Sequence, residues 1–147
     1  MFPNELFSES TLIKLLNTED AITATQYPAS GSFIDVSAYK RFAFLIAAGA
    51  LNSALTCKVQ QATANNGTLK DITDATVTIG ATGDDKWYLI EVETNHLDIN
   101  NSYKYVALDV AGAAGGDDYG AILFFGFAEY RPVTQGADKG EIVTVAG

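Results

Sequence analysis

Apolar and polar residues alternate along most of this chain with a period of two, the signature of β-strands. In "RFAFLIA" (Arg41–Ala47), Phe42, Phe44 and Ile46 share one face while Ala43, Leu45 and Ala47 share the other. Both faces are apolar, which predicts a central strand covered on both sides. Leu55, Cys57 and Val59 then alternate with Thr56, Lys58 and Gln60, as in a half-buried strand. Asn66-Gly67 tolerates positive φ angles and predicts a tight hairpin turn, with Thr68–Ile72 returning. Asp74–Ile79 reads as a further short strand, stopped by "GATGDD". In "KWYLIEVE" (Lys86–Glu93), Trp87, Leu89 and Glu91 oppose the more apolar Tyr88, Ile90 and Val92. Tyr103–Val110 follows, and Trp87, Tyr88, Tyr103 and Tyr105 are all expected to pack inside as strand aromatics.

The stretch "AGAAGGDDYG" reads as a wide hairpin loop feeding the longest strand, "AILFFGFAEYR". There Leu123, Phe125 and Phe127 oppose Ile122 and Phe124, and Gly126 leaves room for a bulge or a close neighbour. Pro132 has no N–H to donate and ends the ladder, while Tyr119 and Tyr130 flank the strand ends and are expected to be exposed. "EIVTV" (141–145) is a candidate last strand. About eight short strands separated by Gly, Asn and Asp, with no long helical period after Ser32, predict an all-β fold: an antiparallel β-sandwich of jelly-roll type.

The first 31 residues differ. Leu6, Leu12, Ile13, Leu15 and Leu16 fit either a short amphipathic helix capped by Ser10 or an extended arm laid against a neighbour. The expected organisation is an N-terminal arm over 1–31, a sandwich over 32–133, and a C-terminal extension over 134–147. The extension is polar and glycine-containing until Glu141.

Composition narrows the function classes. With 48% hydrophobic and 18% charged residues, 147 residues suffice for one domain with a packed core. The net charge of −9, with nine Lys and Arg gathered into no stripe, argues against nucleic-acid binding and suits a soluble surface. The longest apolar run, Phe42–Leu51, falls well short of the roughly 20 residues that cross a bilayer. "MFPNELFSES" has no basic region ahead of an apolar stretch, so secretion and a membrane partner are not expected.

Candidate chemistry is sparse. His96, the single histidine, lies in a turn cluster, and the lone Cys57 faces inward on its strand. No nucleophile elbow, zinc pattern or phosphate loop is present, so no catalytic, metal-binding or cofactor-binding residue is assigned. Asp84-Asp85, Asp117-Asp118 and Glu91/Glu93 raise paired-acid glycoside cleavage, and "GGDDYG" raises calcium; both Asp pairs sit beside Gly, where turn hydrogen bonding explains them.

Several stretches in order resemble a family of small proteins encoded beside the major capsid gene of tailed phages and prophages. They are Ile22-Thr23-Ala24, then Ile34-Asp35-Val36-Ser37-Ala38-Tyr39, and the aromatic strand Phe42–Gly49. "CKVQQATANNGTLKDI" and "NNSYKYVALDVAGAAGGDDYGAILFFGFAEYRPV" continue the likeness, which covers roughly residues 20–133; "LDINNS" replaces that family's Gly-Tyr-x-Gly. The resemblance implies a head decoration, or cement, protein on the virion exterior, made in the host cytoplasm. It further implies a homotrimer whose partner is the major capsid protein, with no enzyme activity and no cofactor. The expected capsid or subunit contacts are Phe2, Leu6, Phe7, Leu12, Ile13, Leu15 and Leu16. A carbohydrate-binding or host-surface adhesion module of a phage particle, using tyrosines at loop ends, is the alternative expectation.

Overall fold

The computed structural model describes residues 6–18, 20–114, 117–129 and 133–145; Phe2, Gly115, Gly116, Tyr130 and Pro132 lie outside the described residues. Helix α1 (Phe7–Ser10) is a single turn. The strands are β1 (Thr11–Asn17), β2 (Gln26–Tyr27), β3 (Ile34–Asp35), β4 (Tyr39–Ala48), β5 (Leu55–Ala62), β6 (Lys70–Ile79), β7 (Trp87–Glu93), β8 (Tyr105–Ala111) and β9 (Gly120–Ala128). They form two antiparallel sheets, ordered β1-β9-β4-β7 and β2-β8-β5-β6, with β3 also pairing β8. This is the all-β sandwich that the alternation predicts.

The inner faces carry the core. Phe42, Phe44 and Phe124 are fully buried; the Phe44 and Phe124 rings meet edge-on at 5.3 Å, and those of Phe42 and Phe124 stack at 6.0 Å. Each such side chain removed from water contributes roughly 1.5–3 kcal/mol. From the second sheet, Leu55, Val59, Val106 and Leu108 close against them. Gly126 is where a neighbour approaches: a Cβ there would sit 2.9 Å from Cζ of Tyr39, whose ring packs edge-on against Phe124.

Local geometry departs from the sequence reading in five places. The segment left open between helix and arm is an edge strand: Thr11–Asn17 pairs with β9, and only Phe7–Ser10 is helical. Thr68–Ile72 and Asp74–Ile79 merge into β6, where Asp74 at φ 64° sits in a bulge that shifts the register beyond Lys58. The β5–β6 connection spans 63–69 with neither Asn66 nor Gly67 at positive φ; instead the Asn65 carbonyl accepts from the N–H groups of Gly31 and Phe33. The loop after β8 is no hairpin, because β8 and β9 belong to different sheets and the chain crosses between them. Lastly, Glu141–Val145 forms no strand.

That crossover is tied down by Asp118, which is fully buried. Its Oδ1 accepts from the backbone N–H groups of Asn52 (2.8 Å) and Ser53 (2.9 Å), and its Oδ2 from Ala114 (3.1 Å). Burial pushes the carboxyl upward, but these backbone donors outweigh it and hold it below its ordinary value. The acid is a turn cap, the role that its glycine neighbours suggest.

Candidate interface on the outer face of the four-stranded sheet

A two-sheet sandwich covers one face of each sheet, and β4 and β9 are apolar on both. Their second faces therefore have no sheet to pack on. Register shows what this leaves outside. One row across β1, β9, β4 and β7 reads Leu15, Leu123, Leu45, Leu89; the next toward the β7 start reads Ala121, Ala47, Trp87. On the other side lie Ile13, Phe125, Ala43, Glu91 and then Thr11, Phe127, Arg41, Glu93.

Exposure along this face is uneven, and Thr11 and Ala43 are buried on it. Trp87 is 70% exposed, Leu15 45% and Leu89 44%, while Leu45, Leu123, Phe125 and Phe127 are half-buried. Four strands about 4.8 Å apart and about seven residues long give a face of roughly 400 Å², with Arg41, Glu91 and Glu93 at one corner and apolar side chains over much of the rest. Trp87 is thus corrected from core to surface: it begins β7 on the outward side, opposite Ala47, and no described element lies over it.

The residues expected at an interface divide across the same pleat. Phe7 reaches the outer face, its ring 6.2 Å from that of Phe125, and Ile13 and Leu15 join it. Leu12 and Leu16 point the other way and pack against the core, and Leu6 is half-buried before α1. Leu45, Trp87, Leu89, Leu123, Phe125 and Phe127 were missed as interface candidates. The signal for Leu45, Leu123, Phe125 and Phe127 lies in the doubly apolar pattern of β4 and β9, which in β4 predicts two covered faces.

The charges on this face are unevenly placed. In register, Arg41 stands between Phe127 and Glu93, and its guanidinium lies over the Phe127 ring, 5.0 Å from the centroid. Glu91 and Glu93 are exposed. Ion pairs among the described residues join Lys58 to Asp71 and Lys70 to Asp98, and involve neither glutamate.

The two edges of the sheet are finished differently. Along β1, the tail supplies side chains in place of a strand: Ile13 N–H donates to Oε1 of Gln135 (3.0 Å) and Leu15 N–H to Oδ2 of Asp138 (2.7 Å). Gln135 Nε2 donates to the carbonyls of Thr11 (2.7 Å) and Ser8 (3.0 Å), and Val133 N–H donates to that of Glu9 (2.9 Å). At the far edge, β7 pairs with β4 alone.

The remaining sequence candidates take structural positions. Cys57 is buried in the core, its thiol pushed up to about 12 by burial and by the nearby charge of Asp109. His96 is exposed in a one-turn 3-10 segment, Thr94–His96. Between β1 and β2 opens a cleft of about 690 Å³, whose polar lining includes Lys14, Gln26 and Asp138. Its aromatic side chain among the described residues, Tyr27, is buried and bonded through its hydroxyl to Thr23. No protein-family model, curated protein or solved structure matches this chain.

Proposed function

We propose that this chain is a structural virion protein, a decoration or cement protein. It binds the outside of a phage head and holds neighbouring major capsid subunits together. The observation that carries the reading is the apolar outer face of the four-stranded sheet, over which no second sheet lies among the described residues, with Trp87, Leu15 and Leu89 exposed. A lone domain gains nothing from such a face, whereas a subunit that docks on a larger surface uses it. The ordered resemblance of residues 20–133 to proteins encoded beside capsid genes supports reading that larger surface as a phage head.

The test is co-sedimentation with heads assembled from the major capsid protein of the phage or prophage that carries this gene. Wild-type protein should pellet with the heads, and L45D/L89D should stay in the supernatant while remaining folded by circular dichroism. A double variant that decorates heads like the wild type would refute the reading. Light scattering of the free protein tests the trimer separately.

One observation favours a second reading, a glycan-binding or adhesion module: Trp87 and Tyr119, at 70% and 42% exposure, present aromatic surface to solvent. Glycan-array binding abolished by Trp87→Ala or Tyr119→Ala would replace the first reading with this one.

A further inference from the structure

A strand at the edge of a sheet presents unpaired backbone groups that can take up another strand, and short strands, bulges and charges are the usual means of blunting it. Among the described residues, three of the four edges are blunted. At β1 the N–H groups of Ile13 and Leu15 are taken by Gln135 and Asp138. In the other sheet β2 and β3 have two residues each, and β6 carries the Asp74 bulge together with Lys70 and Asp71.

The first half of β7 has none of these devices. Its register with β4 runs from Trp87 to Glu93 without a shift, and Glu91 and Glu93 put charge on the second half alone. Just before the strand, Ala48 N–H donates to the Lys86 carbonyl (2.9 Å). Backbone bonds in an antiparallel ladder alternate, so Tyr88, Ile90 and Val92 also bond β4, while Trp87, Leu89 and Glu91 turn their N–H and C=O groups to the free edge. Those groups have no partner among the described residues.

The chain also holds a segment built like a strand and paired with nothing. Residues 141–145, "EIVTV", are β-branched at four of five positions and form no strand. Ile142, Val143 and Val145 are 43%, 76% and 96% exposed. The segment cannot reach β7 of its own copy. Asp138 is held outside β1, whereas an added strand would lie outside β7, at the opposite edge of four strands. Five strand spacings of about 4.8 Å, roughly 24 Å, separate the two positions. Glu141 lies three residues beyond Asp138, a reach of about 10 Å.

We propose that 141–145 of one copy adds as a strand to the free edge of β7 in a second copy, so that this protein self-associates by strand donation. The backbone groups of Trp87, Leu89 and Glu91 gain partners. The β-branched side chains of the donor then lie beside Trp87 and Leu89, the exposed apolar residues of that edge. Each copy carries one donor and one acceptor, so the contact repeats from copy to copy. The inference goes beyond the capsid reading and does not rest on it, since it names how copies of this chain join, whatever surface they cover.

Val143→Pro tests the donor, because proline removes an N–H from a segment that the sandwich does not use. The acceptor is read without substitution, by amide hydrogen exchange of the full chain at rising concentration. Wild type should gain mass in sedimentation velocity while V143P stays monomeric. In the associated form the Leu89 and Glu91 amides should exchange about tenfold more slowly or better. A synthetic peptide of residues 139–145 added to V143P should slow the same two amides, and the same peptide with Val143→Pro should not. Association of V143P as strong as that of wild type would overturn the inference, as would a wild type that stays monomeric at millimolar concentration. So would a peptide footprint away from β7, on β6 or across the outer faces of β4 and β9, which would assign self-association to another edge or to face-on stacking.

Discussion

Replacing Asp118 isolates one interaction that the fold depends on at the crossover between sheets. Its carboxylate accepts three backbone N–H groups from two loops, and the residue has no exposed surface. Asp118→Ala leaves those donors without their acceptor; at roughly 1–3 kcal/mol for each buried group left unpaired, and with partial relaxation, the expected loss is about 3–5 kcal/mol. Asp118→Asn keeps the shape but turns an amide N–H toward one backbone donor, so about 2–3 kcal/mol is expected. For a domain of this size that is a fall in Tm of roughly 4–12 °C, measured by far-ultraviolet circular dichroism at pH 7. The pH dependence fixes the sign. The folded carboxyl lies below its ordinary 3.8, so its contribution is fully present above that value. It is lost as pH falls from there through the folded pKa. The stability gap between wild type and Asp118→Asn should be flat from pH 7 to about 5 and narrow below 3.8, by at most about 1.4 kcal/mol per pH unit. A variant melting within a degree of wild type at pH 7, or a gap that widens in acid, would refute the capping argument.

Neighbouring residues on β9 should behave oppositely. Phe124→Ala should cost roughly 3–5 kcal/mol in a denaturant titration, whereas Leu123→Ser on the outer face should stay within about 1 kcal/mol of wild type. Gly126→Ala should lose about 1–3 kcal/mol, because the added methyl meets the Tyr39 ring; the same titration reads it, and Tyr39→Ala in the same chain should reduce the penalty. Q135A/D138A bares the backbone edge of β1, and should raise the sheet-dependent aggregation rate in a light-scattering assay with the sandwich still folded. Cys57 should resist thiol reagents at pH 8 until the protein unfolds, at which point one equivalent reacts.

The sandwich was legible because strand identity depends on local alternation, and β4, β5, β7, β8 and β9 each show it within a few residues. Pairing was less legible. That the loop after Ala111 crosses between sheets rather than turning back depends on which strands lie beside β8 and β9, and both neighbours, β5 and β4, come from far back in the sequence. The Gln135 and Asp138 clasp on β1 is similarly invisible, since it joins residues 122 and 123 positions apart. The N-terminal segment misled for another reason. In "TLIKLL", the apolar residues satisfy a helical spacing, but β9 offers Thr11–Asn17 an edge to pair with, and tertiary pairing overrides local preference.

The two sheets of one fold have different exteriors, and that contrast carries the functional argument. On the second sheet, outward β5 residues are Thr56, Lys58 and Gln60; Lys58 and Gln60 both bond Asp71 across the strands, and Gln26 bonds Asp109. That part of the surface is polar, while Ala62 and Ala107 further along the same outward face are covered by Phe33, Leu69 and Tyr105. On the first sheet the same structural positions carry Leu45, Leu89, Leu123 and Phe125. Sandwich stability does not require this, because the inner faces already close the core. If folding set the composition of the outer face, Leu45→Thr with Leu89→Thr would lower the melting temperature and leave sedimentation of the folded protein with heads unchanged. If docking sets it, that pair should melt like wild type and fail to sediment with heads. The apolar row is then a cost in solubility that only a covering partner removes.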